Sequence, residues 1–133
     1  MAPRILVAED SETFGRPLQR TLESAGYEVS LVTTAEETLG TLRRGDTDLV
    51  LTDIRLPGMD GLTLLRRIKT EYPPVPVIVM TAHGSTDSGA DVAALGAAGY
   101  FIKPFEPSKL VDAVQRALAR PADRIAATAR RHS

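Results

Sequence analysis

The sequence predicts an α/β fold, a doubly wound, parallel five-stranded sheet built from five β–α units, (βα)₅. Three observations carry that prediction. Short runs that are apolar at nearly every residue recur at Ile5-Leu6-Val7-Ala8, Leu49-Val50-Leu51-Thr52, Val77-Ile78-Val79-Met80 and Tyr100-Phe101-Ile102. Such runs suit strands buried on both faces, the condition of a parallel sheet covered by helices. Stretches with helical spacing separate the runs, and this alternation favours right-handed βαβ winding. Finally, Glu9-Asp10, Asp53, Thr81 and Lys103 stand directly behind the runs. The C-terminal strand ends of such a sheet share one edge, where ligands bind, so these polar groups converge on one small site.

Each element has its own signal. After the first strand, Phe14, Leu18, Leu22 and Ala25 recur at helical spacing, and Gly26 is a stop. Gly15 and Pro17 disturb that helix early. Either its first turn is distorted, or regular helix begins near Arg16 with Pro17 in the first turn, where proline is tolerated. Residues 28–32 read as the second strand. Thr34 and Glu37 form a capping box for a helix with Leu39 and Leu42 that ends at Gly45. The third strand is expected over 48–52. The third helix, marked by Leu62, Leu65 and Ile68, is closed by Tyr72-Pro73-Pro74. The fourth strand covers 77–80, and residues 88–98 read as a weak helix because Gly89 and Gly96 lower its propensity. Residues 100–102 make the fifth strand. A final helix presents Leu110, Val111, Val114 and Leu118 to the core, with Pro107 in its first turn and Pro121 at its end. The chain therefore reads as one domain over 1–120, followed by 121–133 as a basic tail or the start of a linker.

Composition excludes several classes. A chain of 133 residues has the size of one domain and buries a substantial core. Without cysteine there is neither a disulfide framework nor a thiolate metal site. No signal-peptide pattern precedes the first apolar run, and no apolar stretch reaches membrane-spanning length. The net charge of −1 gives no bulk electrostatic reason for nucleic-acid binding. The charge is uneven, however: Arg120, Arg124, Arg130 and Arg131 face only Asp123 in the last stretch.

Taken singly, Glu9-Asp10 and Asp53 fit solvated turns, with Asp10 or Ser11 capping the first helix. Taken together, a sheet with strands one and three adjacent brings three carboxylates close. Like charges at that separation raise one another's pKa unless a cation balances them. Hard oxygen ligands at an open, wet edge suit Mg²⁺. With Lys103 adding a positive charge, the constellation suits a phosphate group.

These residues resemble a known family. Glu9-Asp10, Asp53-Ile54-Arg55-Leu56-Pro57-Gly58-Met59-Asp60-Gly61, Thr81-Ala82 and Lys103-Pro104-Phe105 are similar to the signature set of response-regulator receiver domains of two-component signalling. The match spans roughly residues 4–119, in order and at family-like spacing. The resemblance implies a CheY-like, flavodoxin-like sheet with strand order 2-1-3-4-5. It implies Asp53 as phosphoacceptor, with Mg²⁺ held by Glu9, Asp10, Asp53 and the backbone carbonyl of Arg55. Thr81 would bond one phosphoryl oxygen and Lys103 another, and Lys103-Pro104 would be a cis peptide bond. Tyr100 matches the family's switch aromatic; its plainer role is a half-buried strand aromatic with its hydroxyl in water. Arg55 and His83 occupy the positions that tune phosphoryl hydrolysis, and small Ala82 lets the following loop approach. His83 is a poor Mg²⁺ ligand because that ion prefers oxygen.

The implied function is a cytoplasmic receiver that takes a phosphoryl group from a histidine kinase or histidine phosphotransfer protein. It would then switch the face made by the fourth helix, fifth strand and final helix to control an output partner or domain. The glycine-rich fourth helix is expected to be the mobile element. Phosphorylation-dependent homodimerisation through that face belongs to the same expectation; direct nucleic-acid or membrane binding does not. The chain is expected to catalyse only its own phosphorylation and dephosphorylation. An enzyme of the haloacid-dehalogenase-like phosphatase kind would need a second acid where Arg55 stands, and no GxGxxG or Walker-type loop is present. The alternative is a pseudo-receiver, a protein-binding module that works without phosphorylation; such domains usually lose an acid, the threonine or the lysine, and here all are present.

Overall fold

The computed structural model describes residues 2–82 and 92–119. Its strands and helices alternate as β1 Arg4–Ala8, α1 Glu12–Ser24, β2 Glu28–Val32, α2 Ala35–Leu42, β3 Leu49–Asp53, β4 Arg55–Leu56, β5 Met59–Asp60, α3 Gly61–Glu71, β6 Val77–Thr81, β7 Gly99–Ile102 and α4 Pro107–Ala119. Five strands form one parallel sheet in the order β2-β1-β3-β6-β7. That is the expected 2-1-3-4-5 order, renumbered because β4 and β5 pair separately as a small antiparallel hairpin.

Side-chain alternation along the strands divides the core in two. Leu6, Ala8, Val50, Val77 and Val79 face Leu39 and Leu42 of α2 and Leu64, Leu65 and Ile68 of α3. Ile5, Val7, Leu49, Leu51, Ile78 and Met80 face Leu18 and Leu22 of α1 and Leu110 and Val114 of α4. The central strands β3 and β6 are buried along their whole length, which is why they read as continuous apolar runs.

Four expected element bounds are corrected. The first helix starts at Glu12, not near Arg16, and Pro17 lies inside it. Ser11 caps this helix by accepting from the Phe14 N–H. Proline removes the N–H that would reach the Thr13 carbonyl, and both residues are exposed, so water is available to that oxygen. The third strand is shifted by one residue, to Leu49–Asp53, and the fourth extends to Thr81, because both continue pairing into the polar edge. The fifth begins at Gly99, which pairs with Ile78. The β4–β5 hairpin was not anticipated; its turn is Pro57-Gly58, with Gly58 at φ +84°, as a type II turn requires.

Part of the expected helix over 88–98 lies outside the described residues. Within them, residues 92–94 are helical, Val92 is buried, and the Gly96 N–H closes the turn on the Ala93 carbonyl. The mobility expected of this helix and the tail over 120–133 fall outside the described residues. Among the described residues no helix is long and apolar enough to cross a membrane.

Candidate functional site

The site assembles from backbone register. Glu9 follows Ala8 at the end of β1, and its N–H is held by the Val32 carbonyl. Asp53 ends β3 opposite Met80, so Thr81 projects one residue beyond it on the neighbouring strand. The Lys103 N–H then bonds the Thr81 carbonyl at 2.8 Å, which brings the lysine to the same edge. The Lys103-Pro104 peptide is cis, as expected. Glu9, Asp53 and Thr81 are buried, while Asp10 is exposed.

Lys103 is the centre of the charge arrangement. Its Nζ donates to Glu9 Oε1 and to Asp53 Oδ2, the latter at 2.6 Å. The other oxygens of the two acids are also used. Glu9 Oε2 accepts from the Ser11 N–H at 3.0 Å, and Asp53 Oδ1 accepts from the Arg55 N–H at 2.9 Å. Burial raises the Glu9 pKa; Lys103 and the Ser11 N–H pull it back, and the negative Asp53 adds to the rise. Burial alone would lower the Lys103 pKa, but the hydrogen bonds to Asp53 and Glu9 outweigh it and the net direction is upward. One ammonium therefore serves a corner that holds three carboxylates.

Two glycines let the backbone close around this corner. A Cβ on Gly61 would lie on the Ile54 backbone and 2.7 Å from the Asp53 carbonyl oxygen. Only glycine lets α3 start this close to the residue after Asp53. Asp60 caps α3, its carboxylate accepting from the Thr63 N–H at 2.9 Å. At Gly15, a Cβ would meet Leu31 Cδ1 at 3.0 Å and Glu9 Cγ at 3.4 Å, so α1 packs against the acid itself. From its sequence position alone, Gly15 is only a weakness in a helix.

The sequence also gave no reason to place Phe14 here. Its ring lies under the Lys103 ammonium, with Nζ 4.1 Å from the ring centroid. Phe105 meets Phe14 edge-on at 5.8 Å, and Phe101 stacks obliquely on Phe105 at 5.2 Å. The only sequence signal for this aromatic wall was Phe105, two residues after Lys103.

The donor set suits a small hard cation. Carboxylate oxygens of Glu9, Asp10 and Asp53 all lie within 4.8 Å of one another. Of the three, Asp10 is the one open to solvent.

The sequence profile of the response regulator receiver domain matches residues 5–115. The chain belongs to that family. It is 42% identical over 116 residues to response regulator protein FleR of Pseudomonas aeruginosa and 38% identical over 115 residues to the DNA-binding transcriptional regulator NtrC of Salmonella typhimurium. These alignments cover 87% and 86% of the chain but 24% of each relative, so the chain spans about a quarter of their length. Among solved structures, a response regulator of Chloroflexus aurantiacus superposes with a TM-score of 0.85 at 34% identity, covering 90% of this chain and all of that one. The beryllofluoride-activated NtrC4 receiver domain dimer gives 0.83 at 29% identity, over 86% of this chain and 95% of that one.

One receiver position differs from its plainer sequence expectation. Tyr100 does not hold its hydroxyl in water. The side chain packs against the α2–α3 core and its hydroxyl is buried without a hydrogen-bond partner among the described residues. By strand alternation Tyr100 and Thr81 lie on the same face of the sheet, since Val79 pairs with Tyr100 and Thr81 with Ile102. Met59 of β5 is half-buried against the same core. Arg55 and Ala82 are exposed at the rim of the site, and His83 lies outside the described residues.

Proposed function

We propose that this receiver domain accepts a phosphoryl group on Asp53 and uses it as a signal. The observation that carries the reading is the Lys103 ammonium bridging buried Glu9 and Asp53 beside Asp10. The nucleophile is a carboxylate oxygen of Asp53. It attacks phosphorus, the bond from phosphorus to the donor's oxygen or nitrogen breaks, and the electron pair leaves with the donor. The product is an acyl phosphate, a group of roughly −2 charge with new acceptor oxygens. Lys103 pairs with one of those oxygens, and the Thr81 hydroxyl donates to another.

Glu9, Asp10, Asp53 and the Arg55 carbonyl would hold Mg²⁺, which supplies charge neutralisation for the transferring oxygens. Each Glu9 oxygen already accepts one hydrogen bond, from Lys103 and from the Ser11 N–H, and would turn a remaining lone pair to the metal. Arg55 and Ala82 border the site and, together with His83, set how quickly water reaches the acyl phosphate. Thr81 drawn toward the phosphoryl group alters the packing above Tyr100, and β7 carries the change outward.

The donor in this reading is a cytoplasmic sensor histidine kinase or a histidine phosphotransfer protein. The output is a separate domain or protein, as the curated relatives' lengths suggest. Association of two phosphorylated copies is part of the reading, by analogy with the NtrC4 receiver dimer. No turnover of a separate substrate is proposed, only phosphorylation and dephosphorylation of Asp53.

Intact-mass analysis after incubation with acetyl phosphate tests this directly. The parent should gain one phosphoryl group only with Mg²⁺, and Asp53→Asn should gain none. A parent that stays unlabelled where a control receiver is labelled would identify a pseudo-receiver.

A further inference from the structure

We propose that Phe14 is a positioning residue for Lys103, holding its ammonium at the phosphoryl site while the carboxylates change partners. The inference rests on the phosphoacceptor reading of Asp53. Its basis is a stack of contacts: Lys103 Nζ lies 4.1 Å from the Phe14 ring centroid and 2.6 Å from Asp53 Oδ2. The ring is fixed from behind by the edge-on contact with Phe105, which itself packs on Phe101. It is fixed from below by α1, which at Gly15 approaches Leu31 and Glu9 so closely that a Cβ would fit only tightly, 3.0 Å from Leu31 Cδ1.

The chemistry explains why a ring is useful there. Lysine has a flexible four-carbon stem, and its ammonium goes where the negative charge is. Before phosphorylation, two carboxylates define its place. A cation bound by those same carboxylates repels the ammonium and competes for both of them. The face of an aromatic ring attracts a cation without carrying a charge, so metal binding does not neutralise it. Phe14 thus keeps the ammonium beside Asp53 in the one state where its carboxylate partners are engaged elsewhere. The two faces of the sheet then divide the work. Thr81 and Tyr100 lie on the face toward α2 and α3, whereas Phe14, Phe101 and Phe105 lie on the face toward α1 and α4.

The test uses the whole chain with Phe14→Leu, which keeps an apolar side chain without a ring, and Phe14→Trp, which keeps a ring. Two quantities are measured: the rate constant for phosphorylation by acetyl phosphate in saturating Mg²⁺, and the carbon-bound proton resonances of the Lys103 side-chain end. In the parent those resonances should be shifted by the ring current and should stay shifted on adding Mg²⁺. Phe14→Leu should lose the shift and slow phosphorylation by about threefold to tenfold, and Phe14→Trp should restore both. Phe14→Leu reacting at the parental rate would overturn the role of Phe14 and leave the phosphoacceptor reading standing. So would a Phe14→Trp variant as slow as Phe14→Leu. A parent that keeps the shifted lysine signals but takes up no phosphoryl group would overturn both readings together.

Discussion

At each end of the central sheet one cation meets two carboxylates, and the two trios differ mainly in their access to water. At the N-terminal end Arg4 reaches Glu28 and Asp46, each at 3.1 Å, with about half of every side chain exposed, 53%, 58% and 48%. At the C-terminal end Lys103 reaches Glu9 and Asp53, whose side chains keep only 14%, 1% and 9% of their exposure. Water screens the first trio, so each of its pairs contributes about 0–1 kcal/mol. The second has lost much of its hydration and has the extra acid Asp10 beside it. Desolvation there exceeds what one ammonium returns, which is why the Glu9 pKa stays raised. The same pattern of one cation and two carboxylates therefore does different things. The exposed trio ties β1 to its neighbours, and the buried one remains short of positive charge, a condition that a divalent cation relieves.

The largest effect expected from breaking this contrast is Lys103→Ala. It leaves buried Glu9 and Asp53 without their cation and should lower unfolding free energy by about 3 kcal/mol in metal-free urea titrations. A loss no greater than that of an exposed lysine would show that the acids are already hydrated.

A smaller effect separates the site from an ordinary helix cap. Asp60→Ala should lower stability by about 1 kcal/mol at neutral pH. The Asp60 pKa is lowered, first by the Thr63 N–H, from an ordinary value of 3.8. A lowered folded-state pKa means stabilisation present above that value and lost as pH falls through the folded one, so the difference between parent and variant should vanish in strong acid. Glu9 has the opposite sign. Its raised pKa means that acidification toward its ordinary value of 4.5 favours the folded state. A cap difference that persists in strong acid would place the effect in packing instead. The smallest change is Arg4→Ala, about 0.5 kcal/mol or less by urea unfolding and weaker still at high salt.

The sequence was most informative where backbone period and chemistry coincide. Four strands and the edge residues Glu9, Asp10, Asp53, Thr81 and Lys103 were legible because each of those apolar runs leads into a polar residue at its C-terminal end, whereas the edge strand Glu28–Val32 rests on its position between two helices. What escaped depends on tertiary distance. Gly15 looks like a helix breaker until Leu31 and Glu9 are seen against it, and Pro17 looks like a helix start although Ser11 already caps that helix. Phe14 has the spacing of a core residue and does pack in the core, yet one face of its ring meets a lysine 89 residues away, a pairing no local pattern encodes. The β4–β5 hairpin is two residues per strand, too short for a period to register. That Tyr100 is a half-buried strand residue is legible from the sequence, but the side on which its hydroxyl lies is set by the core above β7.

The most direct test of the contrast is urea unfolding across a Mg²⁺ titration, comparing the parent with Asp53→Asn and Arg4→Ala. Without metal, Asp53→Asn should be more stable than the parent by about 1 kcal/mol, because one of three crowded charges is gone while an acceptor for the Arg55 N–H remains. With metal at a hundred times its dissociation constant, the parent and Arg4→Ala should each gain about 2.7 kcal/mol, and Asp53→Asn clearly less. A parent indifferent to Mg²⁺, or an Asp53→Asn variant less stable than the parent without it, would contradict the claim that the C-terminal edge is short of positive charge.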